Sequence, residues 1–269
     1  MRQHSYVIGS GWWCDESDEQ AWNTQGDAAI RSRNFHQLWY QGISRYTSPR
    51  KIVIIDSASP MPPLLNHNDP RLEFISLPVN SGHATTCPHT WCGWTKSFMA
   101  GLVYAALCEV EYYVYIEQDV LLKGEGLIEH AIDHMRGNYM FGSGDGTPQA
   151  LQQSMCIVRT DAALDFIDRY RKLPFTDREM SPEHKFSILS TDWLPVILPL
   201  FLKLKPKRQR ILLKRFAGFD VLPFGYGRNR PIDFNQPFFY FQHGSLNEIK
   251  AYTERFGFDF SINGPRGAE

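Results

Sequence analysis

The chain has 269 residues, 28 Lys and Arg against 29 Asp and Glu, and a formal net charge of −1. With 43% hydrophobic and 21% charged residues, the composition excludes the disordered, collagen-like and disulfide-dense classes, and balanced charge argues against wholesale nucleic-acid binding. Aromatic residues make up 14% (18 Phe, 12 Tyr, 7 Trp), more than a core requires, so some of these rings are expected to line a ligand site.

The first strand-like run, Tyr6-Val7-Ile8, ends in Gly9-Ser10-Gly11, a loop signal. Asp15 to Gly26 reads as an acidic, polar loop or lid. Ala28 to Tyr46 carries apolar residues near helical spacing. Lys51 to Asp56 is the clearest strand, a β-branched run of the kind buried on both faces of a parallel sheet. Leu72 to Leu77 is a third strand, Pro78 to His89 a loop, and Thr95 to Cys108 a helix rich in small residues. Tyr112 to Ile116 is the fourth strand, running directly into Glu117-Gln118-Asp119. Gly126 to Met135 reads as helical, Tyr139 to Phe141 and Ser154 to Val158 as extended, and Asp161 to Tyr170 as helical. This alternation predicts an α/β fold with a mostly parallel sheet.

From about residue 174 prolines and basic residues increase. Residues 1–170 are expected to form the ligand-binding core, and 171–269 an acceptor-side part of the same domain. Lys203 to Arg215 holds seven Lys or Arg and no acid. This block reads either as a solvated face or as a surface for anionic headgroups or a phosphorylated acceptor, that is, a peripheral membrane contact. Trp193 to Leu202 is apolar but about half the length of a membrane span, with two prolines. Five Cys (14, 87, 92, 108 and 156) show no regular disulfide spacing, and no basic, apolar leader precedes Ser5. The chain is therefore expected to be cytoplasmic, with reduced thiols.

Ligands of open α/β sheets sit beyond the carboxyl ends of the strands. Residues i and i+2 of extended chain face one side, so Glu117 and Asp119 can present two carboxylates to one point, which suits Mg2+ or Mn2+ shared with substrate phosphates.

The order strand, helix, strand ending in Asp56-Ser57-Ala58-Ser59, third strand, Asn80-Ser81-Gly82 loop, small-residue helix and Tyr-Val-Tyr-Ile-Glu-Gln-Asp (113–119) resembles the nucleotide-sugar half of GT-A glycosyltransferases. The resemblance covers roughly residues 5–170. It implies a Rossmann-like sheet, a UDP- or GDP-linked sugar donor, and a metal held at the motif in which the last Asp binds the ion. Asp119 is thus the first metal ligand and Glu117 the second, or a contact to ribose; Glu stands where the family pattern has Asp.

By position, Asp56 would read the base or ribose, with Ser57 beside it, while Gly9, Ser10 and Trp12 of the first loop would hold the nucleotide. Asn80, Gly82 and Lys96 would approach the diphosphate or sugar. His243, delivered by the run Phe239 to Gln242 before Gly244, would complete the metal site. An inverting reaction needs a carboxylate base on the acceptor side. Asp192, before an apolar segment, and Asp145, in a glycine loop, are the two candidates.

Three other readings fit the sequence. His83, Cys87, His89 and Cys92 could hold a structural zinc, though Cys-x4-Cys is a loose spacing. A nucleotidyltransferase shares the sheet and the acids but begins with a basic, Gly-rich phosphate loop. A non-catalytic sugar-binding module would use the aromatics without the acids.

Overall fold

A computed structural model describes residues 4–15, 27–191, 193–216 and 218–260. The elements in chain order are β1 (Tyr6–Trp12), α1 (Arg33–Tyr46), β2 (Lys51–Asp56), β3 (Leu72–Ser76), α2 (Gly93–Leu107), β4 (Tyr112–Ile116), β5 (Val120–Lys123), α3 (Leu127–Asp133), β6 (Tyr139–Ser143), β7 (Leu151–Arg159), α4 (Ala163–Lys172), α5 (Pro182–Leu189), α6 (Leu198–Phe201), α7 (Pro206–Arg215), β8 (Asp220–Val221), β9 (Phe239–Gln242) and α8 (Leu246–Phe256). Seven strands form one sheet in the order β3-β2-β1-β4-β7-β6-β8, and β5 pairs with β9 in a separate ribbon. β3, β2, β1 and β4 run parallel, whereas β7 is antiparallel to both β4 and β6. This is the expected mostly parallel, helix-flanked α/β architecture.

Strand alternation builds two cores. Val7, Val53, Tyr113 and Tyr115 point to the side covered by α2, α4 and α5, against Phe98, Phe166 and Phe186. Ile8, Ile54, Val114 and Ile116 point to the other side, against Trp39 of α1 and Ile128 of α3. A continuous β-branched run such as Ile52-Val53-Ile54-Ile55, fully buried, is what a strand covered on both faces requires. A third apolar cluster joins β5 and β9 to α1 and α8 through Leu121, Phe239, Phe241, Phe35 and Tyr252.

Two boundaries differ from expectation. β1 does not stop at Gly9 but continues in register with β2 as far as Trp12, opposite Asp56. Gly9 and Gly11 are there for packing: a Cβ on Gly9 would lie 2.1 Å from the Tyr113 hydroxyl, and one on Gly11 2.9 Å from that of Tyr115. The Gly-Ser-Gly run makes room for two tyrosine rings of β4 instead of turning the chain. The helix expected from Ala28 is a 3-10 turn over Ala28–Arg31 followed by α1, because Ser32 intervenes as N-cap, its hydroxyl accepting from Phe35 N–H. The acidic stretch read as a lid lies mostly, over 16–26, outside the described residues. Late segments return to the first half: β8 joins β6, and β9 pairs with β5.

Candidate active site

β4 ends in a tight reversal. Val120 N–H donates to Glu117 C=O at 3.1 Å, and Glu117 N–H donates to Ser154 C=O at 2.8 Å. The Gln118 side chain fastens this turn to the end of β1, accepting from Trp13 N–H and donating to Trp13 C=O at 2.9 and 3.1 Å. The reversal feeds β5, and in the β5–β9 ribbon Val120 faces Gln242. Asp119 and His243 are therefore the next residues out on the two strands.

That register brings the expected residues together. His243 Nε2 lies 3.3 Å from Asp119 Oδ2, and the Gln242 amide lies 3.3 Å from Glu117 Oε2 and 3.1 Å from His243 Nε2. Asp119 is 7% exposed, and its Oδ1, like His243 Nδ1, is buried with no hydrogen-bond partner in the protein. A buried carboxylate oxygen without a donor costs free energy unless a ligand satisfies it. His243 adopts a left-handed backbone, φ +55°, a strain of about 1–3 kcal/mol for a non-glycine residue that persists only when its surroundings enforce it. They do: Arg230 donates to the carbonyls of Gln242 and His243 and pairs with Glu248, the capping-box residue of α8.

Burial and the neighbouring Asp119 push the Glu117 carboxyl up to about 8, against Arg228 and the Trp94 indole. Burial likewise raises Asp119, opposed by Arg31 and Arg228. Burial, then the cations Arg228, Arg31 and Arg230, bring His243 down to about 3, so it is a neutral imidazole at physiological pH. Burial thus favours the protonated form of both carboxyls, and the charges of Arg228 and, at Asp119, Arg31 oppose it. The positive charge of these guanidinium groups favours an anionic ligand at this end of the sheet.

Among the described residues no group of three His, Cys, Asp or Glu side chains is arranged to hold a metal ion. The expected set of Asp119, Glu117 and His243 is not gathered around one point; Glu117 instead accepts from the Gln242 amide. Asp119, with its orphaned Oδ1, and His243, whose Nε2 lies beside it, still fit a cation that takes its remaining ligands from substrate phosphate and water. The zinc loop is not formed either. Cys87 Sγ faces His89 C=O, Cys92 Sγ faces Thr95, and His83 Nδ1 faces Thr85.

The other expected residues divide into two groups. Ser57, Ser81, Gly82 and Lys96 converge at the start of α2, where Lys96 Nζ donates to Ser81 Oγ and Ser81 N–H to Ser57 Oγ. Gly82 N–H caps the Asn80 side chain at 2.8 Å, leaving Asn80 exposed at the loop tip. Gly9, Ser10 and Trp12, expected in a nucleotide-holding loop, are instead strand residues. Trp12 is 2% exposed, its indole N–H donates to Met61 C=O, and its ring meets His36 edge-on at 5.2 Å, so it belongs to the core. Asp56 is also shielded, accepting from Ser59 N–H at 3.0 Å and Ser76 O–H at 2.6 Å; these bonds brace the end of β2.

Of the two candidate bases, Asp192 lies outside the described residues. Asp145 is largely exposed and pairs with Lys214 at 2.6 Å. Lys214 and the Ser143 hydroxyl hold its carboxyl below the usual carboxylate range, which disfavours proton abstraction.

Arg31, at the end of the 3-10 turn, and Arg228 were not singled out in the sequence, yet both bias Asp119 and His243, and Arg228 biases Glu117 as well. Arg228 follows a loop pinned on two sides: its N–H donates to Gln152 Oε1 at 3.0 Å, and Gln242 N–H donates to Gly227 C=O at 2.9 Å. The run Gly225-Tyr226-Gly227-Arg228 was a readable signal, a glycine loop carrying a cation. A separate polar hollow of about 790 Å³ lies at the opposite, amino-terminal end of the parallel strands, among His4, Ser5, Tyr46, Glu111 and Glu129, away from the acids.

No family model and no curated protein matches the chain. Solved structures do resemble it. A protein from Bacillus anthracis assigned as a glucose-1-phosphate thymidylyltransferase, in complex with a sucrose, is 6% identical with a TM-score of 0.45, covering 96% of both chains. The galactosyltransferase LgtC, in complex with donor and acceptor sugar analogs, is 11% identical with a TM-score of 0.39, over 82% of this chain and 75% of its own. The glycosyltransferase GlyE of Streptococcus pneumoniae is 12% identical with a TM-score of 0.38, over 82% of this chain and 46% of its own.

Proposed function

We propose that the chain is a GT-A-type glycosyltransferase that moves a sugar from a nucleoside diphosphate sugar, UDP- or GDP-linked, to a hydroxyl of a glycan or lipid-linked acceptor. The observation that carries this reading is the meeting of Asp119 with His243 beyond the end of β4, beside the buried Glu117. Asp119 and His243 would hold Mn2+ or Mg2+, with Glu117 entering the set on losing its proton; the ion would stabilise charge on the departing phosphate oxygens. Arg31 and Arg228 add fixed positive charge at the same place, binding the diphosphate and favouring its departure. Ser57, Ser81, Gly82 and Lys96 form the donor side along the start of α2. The acceptor hydroxyl loses its proton to a carboxylate. Asp145 is engaged by Lys214, which leaves Asp192 as the base.

The test is release of nucleoside diphosphate from UDP- and GDP-sugars with Mn2+ in the absence of acceptor, where water replaces the hydroxyl. Asp119→Ala is expected to abolish release. Asp192→Asn is expected to slow it by about 10²–10⁴-fold, and Asp145→Asn to change it only a few-fold. Equal effects of the last two would reject the assignment of the base, and no release from any donor would reject the reaction.

A further inference from the structure

The segment from Trp193 to Phe216 presents a surface unlike the rest of the molecule. α7 buries Gln209 and Leu213, and the Gln209 amide donates to the carbonyls of Leu202 and Leu204, fixing the corner between α6 and α7. The outward side leaves Val196 80%, Leu200 64% and Ile211 53% exposed, together with Trp193, Ile197 and Phe216. These six are nearly half of the fourteen large apolar side chains exposed among the described residues. Trp193 and Phe216 meet edge to face at 5.8 Å, and the Arg215 guanidinium lies 5.9 Å from the Phe216 ring centroid, so the two ends of the segment form one surface. Residues 193–216 contain seven Lys or Arg and no Asp or Glu.

Apolar crests of this kind stay exposed on a monomer at a cost unless something covers them. The excess of positive charge that the segment carries selects the cover. Apolar side chains that enter the boundary between headgroups and acyl chains, ringed by cations that reach anionic headgroups, are the two terms of interfacial membrane binding. Long Lys and Arg stems serve both terms at once. We infer that the surface formed by Trp193 to Phe216 seats the protein on an anionic lipid bilayer.

The seat is tied to the site. Lys214 pairs with Asp145 in the turn after β6. Two antiparallel steps, β4 to β7 and β7 to β6, make β6 end at the same edge of the sheet as β4, where Glu117 and Asp119 stand. A bilayer-borne hydroxyl is then on the acceptor side of the acids; this corollary rests on the glycosyltransferase reading, whereas the seat itself does not.

The test is co-sedimentation of the full chain, without nucleotide or metal, with vesicles of phosphatidylcholine alone and of phosphatidylcholine mixed with phosphatidylglycerol. Binding is expected only to the mixture and is expected to weaken with salt. Val196→Ser with Leu200→Ser, which leaves the charge unchanged, is expected to weaken it about tenfold or more. Lys207→Gln with Arg208→Gln should cost roughly fivefold per cation. All four positions are solvent-facing, and unchanged thermal melting verifies that the variants fold. Absence of binding to the mixture would overturn the inference. Binding that survives the two apolar replacements and is competed by heparin would also overturn it, marking a general polyanion surface. Either failure leaves the donor-release experiment intact, since no lipid enters that assay.

Discussion

His243 Nε2 stands 3.3 Å from Asp119 Oδ2 because Val120 faces Gln242 in the β5–β9 ribbon. A shift of one residue in that register would turn the imidazole to the opposite face of the ribbon. The apolar residues Leu121, Phe239 and Phe241, buried against α1 and α8, therefore set the geometry of the site from behind it. Packing in this third cluster and chemistry at the carboxylates are parts of one arrangement.

Gly9 tests the assignment of the first glycine run to a strand. Gly9→Ala would drive a methyl into the Tyr113 ring and should destabilise the protein by about 1–3 kcal/mol, the usual cost of overpacking, while nucleotide binding by the folded fraction is unchanged. The Tyr113 hydroxyl is buried without a partner, so Tyr113→Phe alone should cost little and should partly restore Gly9→Ala. Urea denaturation of the four proteins checks this; a loss of nucleotide affinity without loss of stability would return Gly9 to a binding loop.

Asp177 and Lys185 form a fully buried ion pair at 2.8 Å. Asp177 also accepts from Cys92 N–H at the start of α2 and from the Tyr170 hydroxyl. Burial raises the Asp177 carboxyl, but the bonds from Lys185, Tyr170 and Cys92 outweigh it, so the net shift is downward. A carboxyl lowered by folding contributes stability that is complete above its unfolded value, about 3.9, and is lost as pH falls through the lower folded value. Asp177→Ala should cost about 3–5 kcal/mol at neutral pH, because Lys185 is left unpaired in the core, and should flatten the acid limb of the stability curve. Adding Lys185→Met should recover much of the loss. Denaturation midpoints from neutral to acid pH measure both effects; a neutral-pH cost under about 1 kcal/mol would show that the pair does not hold the start of α2.

The two arginines make a sharper prediction about the ligand. Arg31→Ala and Arg228→Ala should each weaken nucleoside diphosphate binding about tenfold or more, the loss of one charge-assisted contact. Binding of the phosphate-free nucleoside by the folded protein should not change. Calorimetric titration with both ligands separates a phosphate contact from a structural role, since a structural role would lower both affinities.

Much of this arrangement could be read in the sequence, and the exceptions have physical causes. β2 and β4 are continuous apolar runs that only a doubly covered strand explains, and the acids at the end of β4 follow from that placement. The run Phe239 to Gln242 identified His243 because an apolar strand ending before a glycine places its last polar residue at an edge. β5 escaped because Val120-Leu121-Leu122-Lys123 is too short to show a period and follows the acids directly. Gly9-Ser10-Gly11 misled because glycine serves both turns and close ring packing, and only the partner strand distinguishes them. Trp12 and Asp56 have the chemistry of ligand-binding residues, yet Met61, Ser59 and Ser76 occupy their polar atoms. Arg31 and Arg228 lie in connecting segments with no periodic pattern, and the placement of Arg228 depends on the long-range return of β9, whose Gln242 N–H bonds Gly227 C=O.

The most direct test is thermal stability with UDP, GDP, CDP and dTDP, each with and without Mn2+. The account predicts that one nucleoside diphosphate stabilises the chain, that the stabilisation requires the ion, and that Asp119→Ala and His243→Ala each remove it while Asp145→Asn does not. No stabilisation by any of the four, or stabilisation that persists in Asp119→Ala, would contradict it.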